Sequence, residues 1–217
     1  MLVDLSHTIE HGMITYAGLP EPVISDFLSR EASRSRYASG TEFHIAGINM
    51  VGNTGTYIDA PSHRFESGKD IAAIDLQSVA NISAVTLRAI GRRSIEAADI
   101  RDLQLRDKAL LIHTGWGQHW RTEKYWSNQH PFVTRGAAEL LAKSGLKVVG
   151  IDSYNIDDAT DGTRPAHTEL LRAGILIVEH LTNLEALPQS GAIRFFAVPP
   201  RVRGLSSFPV RAFAIVD

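Results

Sequence analysis

Eight short apolar segments spread along the chain place the strongest constraint on its fold, because they predict more strands than helices. They are rich in branched apolar side chains, which pack well on a pleated sheet. The segments are Leu2–Leu5, Phe43–Met50, Ser83–Ala89, Ala109–Thr114, Val148–Asp152, Ile175–Glu179, Phe195–Val198 and Ala212–Val216. The sequence therefore predicts a fold built on a sheet.

Helical patterns are fewer and fall mainly in the C-terminal half. The clearest one begins after Thr134, a candidate N-cap, and ends at Gly145. Shorter helices are predicted at Ser94–Arg101 and His167–Ala173. Alternation of strands and helices indicates the α/β class. Since no repeat or long linker divides the sequence, we expect residues 1–217 to form one domain.

Composition restricts the classes of function. The 217 residues are 44% hydrophobic and 21% charged, with a formal net charge of -2, as expected of a globular domain without an affinity for nucleic acid. No apolar run approaches the ~20 residues that span a bilayer, and the first residues lack signal-peptide features, so we expect a cytoplasmic protein without a membrane partner. The absence of Cys leaves imidazole and oxygen groups as the candidate metal ligands.

The segment from Asn53 to His63 reads Asn-Thr-Gly-Thr-Tyr-Ile-Asp-Ala-Pro-Ser-His. Pro61 fixes its own φ and disfavours the helical region for Ala60. A rigid extended loop can therefore direct Asp59 and His63, four positions apart, into one pocket. The alternative is an ordinary turn whose Asp and His are surface or hydrogen-bonded residues.

Two acidic residues close apolar strand segments. Asp152 and Glu179 would lie in the crevice where α/β proteins bind ligands, or else at solvated strand ends. His167 precedes Glu179 by twelve positions, and Gly174 between them lets the chain turn back. Both side chains could then converge. Alternatively, His167 is a hydrogen-bonding residue at a helix start.

Taken together, these segments resemble the cyclase family of metal-dependent hydrolases, which includes bacterial kynurenine formamidases. The motif of that family is His-x-Gly-Thr-His-x-Asp-x-Pro-x-His, and Gly55, Thr56, Asp59, Pro61 and His63 match it. Further similarity lies in Val3–Ile9 with Gly12, Met13 and Tyr16, in Thr114–Trp116, in Gly150–Asp152, and in His167–Leu171 followed by Glu179. The resemblance implies the cyclase-like swivelling β/β/α fold, a mixed β-sheet core with flanking helices, and a homodimer or higher homo-oligomer.

The resemblance also implies roles for individual residues. It makes Asp59, His167 and Glu179 metal ligands and His63 the general acid/base. One imidazole and two carboxylates suit a single divalent ion, which could be Mn, Zn or Mg. The alternative for His63 is packing beside Pro61 or a bond to a backbone carbonyl.

Two departures from the family motif bear on the metal. Asn53 and Tyr57 stand where the family has His. An amide offers only a neutral oxygen, and a phenol with a pKa near ~10 is a poor ligand unless it ionises. We therefore expect one metal ion rather than two, with Asn53 and Tyr57 contacting substrate. Alternatively, Tyr57 fills the space of the lost metal and the pocket only binds small molecules.

Trp116 resembles a substrate-wall residue of the family, and its aromatic face would suit a planar acyl or aryl group. Trp is also a common core residue. All three Trp residues fall within residues 116–126. That clustering is typical of a pocket lid or of a subunit interface.

The leading hypothesis is a hydrolase that cleaves the carbon–nitrogen bond of a small amide, of the aryl formamide or cyclic amide type. An esterase or lactonase is the nearest alternative. A protein that kept the fold but lost its metal, and now only binds a small molecule, is the alternative from another class.

Overall fold

The computed structural model describes residues 1–189 and 191–216. Its strands are β1 Leu2–Asp4, β2 Val23–Leu28, β3 Ile45–Asn49, β4 Tyr57–Asp59, β5 Ile82–Arg88, β6 Ser94–Ile95, β7 Ala109–His113, β8 Phe132–Val133, β9 Val148–Ile151, β10 Leu176–Glu179, β11 Ile193–Phe196, β12 Ser207–Pro209 and β13 Phe213–Val216. The α-helices are α1 Arg30–Ser33, α2 Ala97–Ile100, α3 Arg135–Ala142 and α4 Pro165–Arg172.

The central feature is a nine-stranded mixed sheet with the order β1-β13-β11-β5-β7-β9-β10-β4-β12. Strands β5, β7, β9 and β10 are parallel neighbours. The remaining pairs are antiparallel, including β10 with β4 and β4 with β12. Two smaller sheets pair β2 with β3 and β6 with β8. This architecture confirms the predicted α/β class with a mixed sheet.

The central strands are buried on both faces, which explains their continuous apolar sequences. In β7, Ala109 and Leu111 join one core cluster, whereas Leu110 and Ile112 join the other. Helices α3 and α4 pack together over the second cluster. Packing on both faces of the sheet therefore fixes the positions of the carboxyl ends of the parallel strands.

The eight predicted strands are all present, with ends displaced by at most two residues. The N-cap prediction at Thr134 is also confirmed, since its side chain accepts a hydrogen bond from the Ala137 amide. The helix predicted over Ser94–Arg101 is wrong in its first part, because Ser94–Ile95 forms β6 and pairs with β8. Its second part forms α2.

Strand β4 lies within the segment predicted to be a loop, and this prediction needs correction. Residues Tyr57–Asp59 are extended because they pair with β10 on one side and β12 on the other. A three-residue strand carries too little periodicity to be recognised, and both partners are distant in sequence. The division into a single domain over residues 1–217 stays a prediction.

Within residues 1–189 and 191–216, no helix has the length and apolar character that a membrane span requires.

Candidate active site

Strand β4 brings the first site residues to one face of the sheet. Tyr57 and Asp59 are two positions apart in a strand, so their side chains point the same way. The register places Tyr57 opposite Glu179 on β10 and Asp59 opposite Ser207 on β12. These side chains meet in the interior, since all four residues are at most 3% exposed.

The Pro61 turn adds His63 to this group. Ala60 is extended, with φ -95° and ψ 162°, and Pro61–His63 forms a single 3-10 turn. The turn returns the chain so that His63 Nδ1 lies 3.7 Å from Asp59 Oδ1 and 3.0 Å from Ser207 Oγ. The structure thus brings the Asp59 and His63 side chains within 3.7 Å of each other.

His167 enters from the N-terminal turn of α4 and is held by Asp157. The Asp157 carboxylate accepts hydrogen bonds from the amides of Ala166 and His167, and lies 2.7 Å from His167 Nδ1. This leaves Nε2 directed at the site, 3.7 Å from Asp59 Oδ2 and 3.7 Å from Glu179 Oε1. Asp59 and Glu179 therefore both approach His167, whose backbone amide also donates a hydrogen bond to Asp157 at the start of α4.

The buried charges of this group shift one another. Burial disfavours a charged imidazole, but the hydrogen bond to Asp157 and the carboxylates of Asp59 and Glu179 raise the pKa of His167 to about 10. Burial also opposes ionisation of Asp59, yet His63 and His167 lower the pKa of that carboxyl. Burial raises the pKa of Glu179 to about 7, although the positive charge of His167 acts to lower it.

Tyr57 donates its hydroxyl proton to Glu179. The phenol contacts Oε2, while the Ile156 amide donates to Oε1 at 2.6 Å. Burial and then the nearby Glu179 charge raise the pKa of Tyr57 well above that of a free phenol, so Tyr57 remains neutral. Tyr57 thus occupies one of the two Glu179 carboxylate oxygens.

The donor set fits a divalent metal ion. Asp59 Oδ2 is buried, and among residues 1–189 and 191–216 it has no hydrogen-bond partner. Metal–ligand distances near 2.1 Å place tetrahedral ligand atoms about 3.4 Å apart, close to the 3.7 Å separations around His167 Nε2. Ligand atoms of Asp59, His63 and His167 also lie within 4.8 Å of one another. His167 would bind an ion as a neutral imidazole, after loss of its Nε2 proton.

A cavity of about 400 Å³ opens over this group. Asn53 and Tyr57 lie in its wall. Contact of either residue with substrate stays a prediction. The full lining consists of Tyr16, Leu19, Asn53, Tyr57, His63, Arg64, Asn155, Arg164, His167 and Glu179.

Trp116 lies elsewhere in the described part of the chain, in an aromatic cluster rather than among these lining residues. It is 9% exposed, and its indole Nε1 donates to the Tyr125 carbonyl at 3.0 Å. The cluster also contains Tyr154, Trp120 and Trp126. A direct contact between Trp116 and substrate stays a prediction.

Asp152 does not join the candidate site, because its carboxylate is hydrogen-bonded to the segment that follows β7. Its carboxylate accepts from the amides of Thr114 and Gly115, at 2.9 Å and 2.8 Å. It lines a different cavity, of about 350 Å³, beside His113. Of the two acids that close strands, only Glu179 joins the Asp59 group.

Sequence reasoning missed Asp157 and Ser207. Asp157 follows Asn155 and Ile156 in an irregular segment and resembles the adjacent Asp158. Ser207 follows Ser206 with no distinguishing pattern. Only the folded chain places Asp157 against His167 and Ser207 against Asp59.

His130, beside the aromatic cluster, should make the free energy of unfolding depend on pH. The imidazole is fully buried, and its Nε2 accepts from the Ala159 amide at 3.2 Å. Burial lowers the pKa of His130 to about 4, against about 6.5 in an unfolded chain. Between these values the unfolded chain binds a proton that the native chain does not. The contribution of His130 to stability should therefore fall by on the order of 3 kcal/mol as pH drops from about 6.5 to about 4.

Urea unfolding with a chelator present, at pH 7 and pH 4.5, measures this loss. His130→Gln should show a smaller loss than the wild-type chain. His11→Gln, which replaces an exposed imidazole, should keep the wild-type loss. An equal loss in the His130 variant would contradict the assignment.

The fold is of the α/β class, and the candidate site groups carboxylates with imidazoles, a set of side chains common in hydrolytic metal sites. A family model described as "Putative cyclase" matches residues 3–158. The match covers more than half of the sequence, and the chain belongs to this cyclase family of metal-dependent hydrolases.

Individual relatives agree with this membership. A kynurenine formamidase from Geobacillus thermodenitrificans is 32% identical over 184 residues, which cover 83% of this chain and 84% of that protein. One from Bacillus cereus is 26% identical over 214 residues, with coverages of 97% and 95%.

Solved structures share the fold. The structure of a predicted metal-dependent hydrolase from Bacillus stearothermophilus matches this chain with a TM-score of 0.75 at 27% identity. The match covers 99% of this chain and 97% of the other. Isatin hydrolase A from Labrenzia aggregata has a TM-score of 0.81 at 20% identity, with coverages of 100% and 93%. At that identity, the second comparison establishes the fold alone.

Proposed function

We propose that this chain is a metal-dependent hydrolase that cleaves the carbon–nitrogen bond of a small amide, of the aryl formamide or cyclic amide type. The observation that carries the proposal is that Asp59 Oδ2 and Glu179 Oε1 each lie 3.7 Å from His167 Nε2, with Asp59 Oδ2 left without a hydrogen-bond partner among the described residues. The name that the sequence relatives share, kynurenine formamidase, supports the amide class.

In the proposed reaction, Asp59, His167 and Glu179 hold one divalent ion. When bound, the ion polarises the amide carbonyl and increases the acidity of water. His63 borders the cavity and takes a proton from the attacking water. The carbon–nitrogen bond then breaks, and His63 passes the proton to the leaving nitrogen, so that amide and water become a carboxylic acid and an amine.

Metal content tests the proposal most directly. Protein purified without a chelator or metal-affinity tag is measured by elemental mass spectrometry, before and after addition of Mn, Zn or Mg. We expect about one ion per chain, and release of formate from an aryl formamide. Asp59→Ala should lose the ion, whereas Asp102→Ala, at an exposed site, should retain it.

Absence of metal under all these conditions would favour the alternative, a cyclase-fold protein that only binds a small molecule. The hydrogen bond from Tyr57 to Glu179 is the observation that favours this alternative. Turnover of esters but not amides would instead indicate an esterase or lactonase using the same residues.

Two arginines suggest the charge of the substrate. Arg64 and Arg164 line the cavity, and within residues 1–189 and 191–216 neither pairs with a carboxylate. Arg164 is held with φ at +47°, the left-handed region, which is strained for a side chain of this size. We propose that these guanidiniums bind a carboxylate on the substrate.

Replacing Arg164 by Gln should therefore raise KM for a formanilide that bears a carboxylate about tenfold, because a hydrogen bond to a charged group contributes about 1.5–3 kcal/mol. KM for unsubstituted formanilide should change less than about twofold. Arg101→Gln, at an exposed position, is the matched control. Equal changes for both substrates would contradict the proposed contact.

The small sheet of β2 and β3 supports a homo-oligomer. Phe27 in β2 is 79% exposed, and Ile48 in β3 and Phe43 just before β3 are each 51% exposed. A two-stranded sheet is marginally stable alone, and large exposed apolar side chains on it favour a covering partner. We propose that a second copy of the chain covers this sheet.

Phe27→Asp should then produce monomers at concentrations where the wild-type chain is dimeric or larger. Sedimentation velocity measures the change. Leu76→Asp, which alters another exposed apolar residue, should leave the assembly intact. A wild-type chain that sediments as a monomer would contradict the proposal.

A further inference from the structure

Ser207 contacts two residues of the candidate site although its own sequence neighbourhood carries no motif. It lies opposite Asp59 in the pairing of β12 with β4 and is 3% exposed. Its hydroxyl donates to Asp59 Oδ1, and its Oγ lies 3.0 Å from His63 Nδ1. Gly52 packs so closely against the Ser207 backbone that a Cβ on Gly52 would overlap the Ser207 carbonyl oxygen. The backbone that carries this hydroxyl is therefore held in place.

The number of available protons determines the direction of each hydrogen bond. A serine hydroxyl has one proton, and an ionised carboxylate can only accept. The Ser207 proton is therefore used on Asp59, and Ser207 Oγ must accept from His63. It follows that His63 carries a proton on Nδ1. When the imidazole is neutral, its free electron pair lies on Nε2.

No other described contact can replace this one. His63 Nδ1 and Asp59 Oδ1 are 3.7 Å apart, which is too far for a direct hydrogen bond. The hydroxyl of Ser207 bridges that separation. Without it, Nδ1 would have no acceptor within the described part of the chain, and the proton could move to Nε2.

We propose that Ser207 is a positioning residue that fixes His63 in the tautomer with Nδ1 protonated and Nε2 basic. The inference rests on the proposed function, in which His63 receives a proton from water and returns it to the leaving nitrogen. Ser207 acts through His63 and undergoes no covalent change. It keeps the same ring nitrogen available for both proton transfers.

Long-range ¹H–¹⁵N NMR of the metal-free protein, labelled at histidine, tests the tautomer directly. At alkaline pH, where a free imidazole is neutral, the His63 signals should show a protonated Nδ1 and an unprotonated Nε2. In Ser207→Ala they should shift towards a protonated Nε2. Ser207→Thr, which retains a hydroxyl, should restore the wild-type pattern, and Ser206→Ala should leave it unchanged.

Kinetics supply the second measurement. With metal supplied, Ser207→Ala should lower kcat for the amide about tenfold to a hundredfold with KM within about twofold, since a wrongly placed proton impairs the chemical step more than binding. A wild-type spectrum with Nε2 protonated would overturn the proposal even if the variant fails to fold. An unchanged tautomer in a folded Ser207→Ala would overturn it as well.

Failure of the proposed function would look different. If the wild-type chain hydrolyses no amide or ester while the tautomer still depends on Ser207, the reaction assignment fails and the positioning of His63 by Ser207 is supported. If amide turnover is present and the tautomer does not depend on Ser207, the reaction assignment survives and the positioning role is overturned.

Discussion

Replacing His63 by Ala is expected to lower kcat for amide hydrolysis about a hundredfold to ten-thousandfold while the metal ion stays bound. The imidazole borders the cavity, and its side chain is 32% exposed, so it can reach a substrate. Its Nδ1 is already engaged by Ser207. The Ala variant would remove the proton acceptor and leave Asp59, His167 and Glu179 in place.

Turnover and metal content per chain should be measured on the same preparation. His11→Gln, at an exposed site, should retain wild-type kcat and metal content. Loss of metal in His63→Ala would instead identify His63 as a ligand, a role that its closeness to Asp59 and His167 permits. Wild-type turnover in the variant would exclude His63 as the acid/base.

The second large effect is expected for Asp157→Asn. The carboxylate of Asp157 compensates the buried charge of His167. It also accepts hydrogen bonds from two backbone amides at the start of α4. Leaving a buried charge without its partner costs about 3–5 kcal/mol. Groups that orient a metal-binding His typically contribute a factor of 10–100 in metal affinity. The variant should therefore show both defects.

Urea unfolding with a chelator present isolates the loss of stability, and metal titration measures the loss of affinity. Asp158→Asn is the matched control, because the adjacent carboxylate pairs with Arg93 on the surface and does not contact His167. A variant with wild-type stability and wild-type metal affinity would show that His167 is oriented by other contacts.

The strands that the sequence predicted best are those with the strongest local pattern. β7, β9 and β10 are buried on both faces, so each is a continuous apolar run that needs no knowledge of its partners. β4 and β12 have three residues each and are extended because of their neighbours in the sheet. Their existence depends on tertiary pairing, which a local pattern does not encode.

The same division applies to the site. Asp59, His63, His167 and Glu179 were found through motif and spacing, and the structure brings them together. The importance of Ser207 depends on a hydrogen bond between residues 148 positions apart. The importance of Asp157 depends on the orientation of α4. This orientation places His167 Nδ1, as well as the His167 backbone amide, against the Asp157 carboxylate. Neither relation leaves a local signal in a single sequence.

The position of β12 in the sheet has a consequence for synthesis of the protein. A nascent chain can complete β4 only when residues 207–209 have left the ribosome, because β12 supplies one of the two partners of β4. Until then, Asp59 Oδ1 and His63 Nδ1 lack the hydroxyl that joins them. Although Asp59 and His63 are translated early, full hydrolytic activity should appear only after Ser207 has been added and has docked.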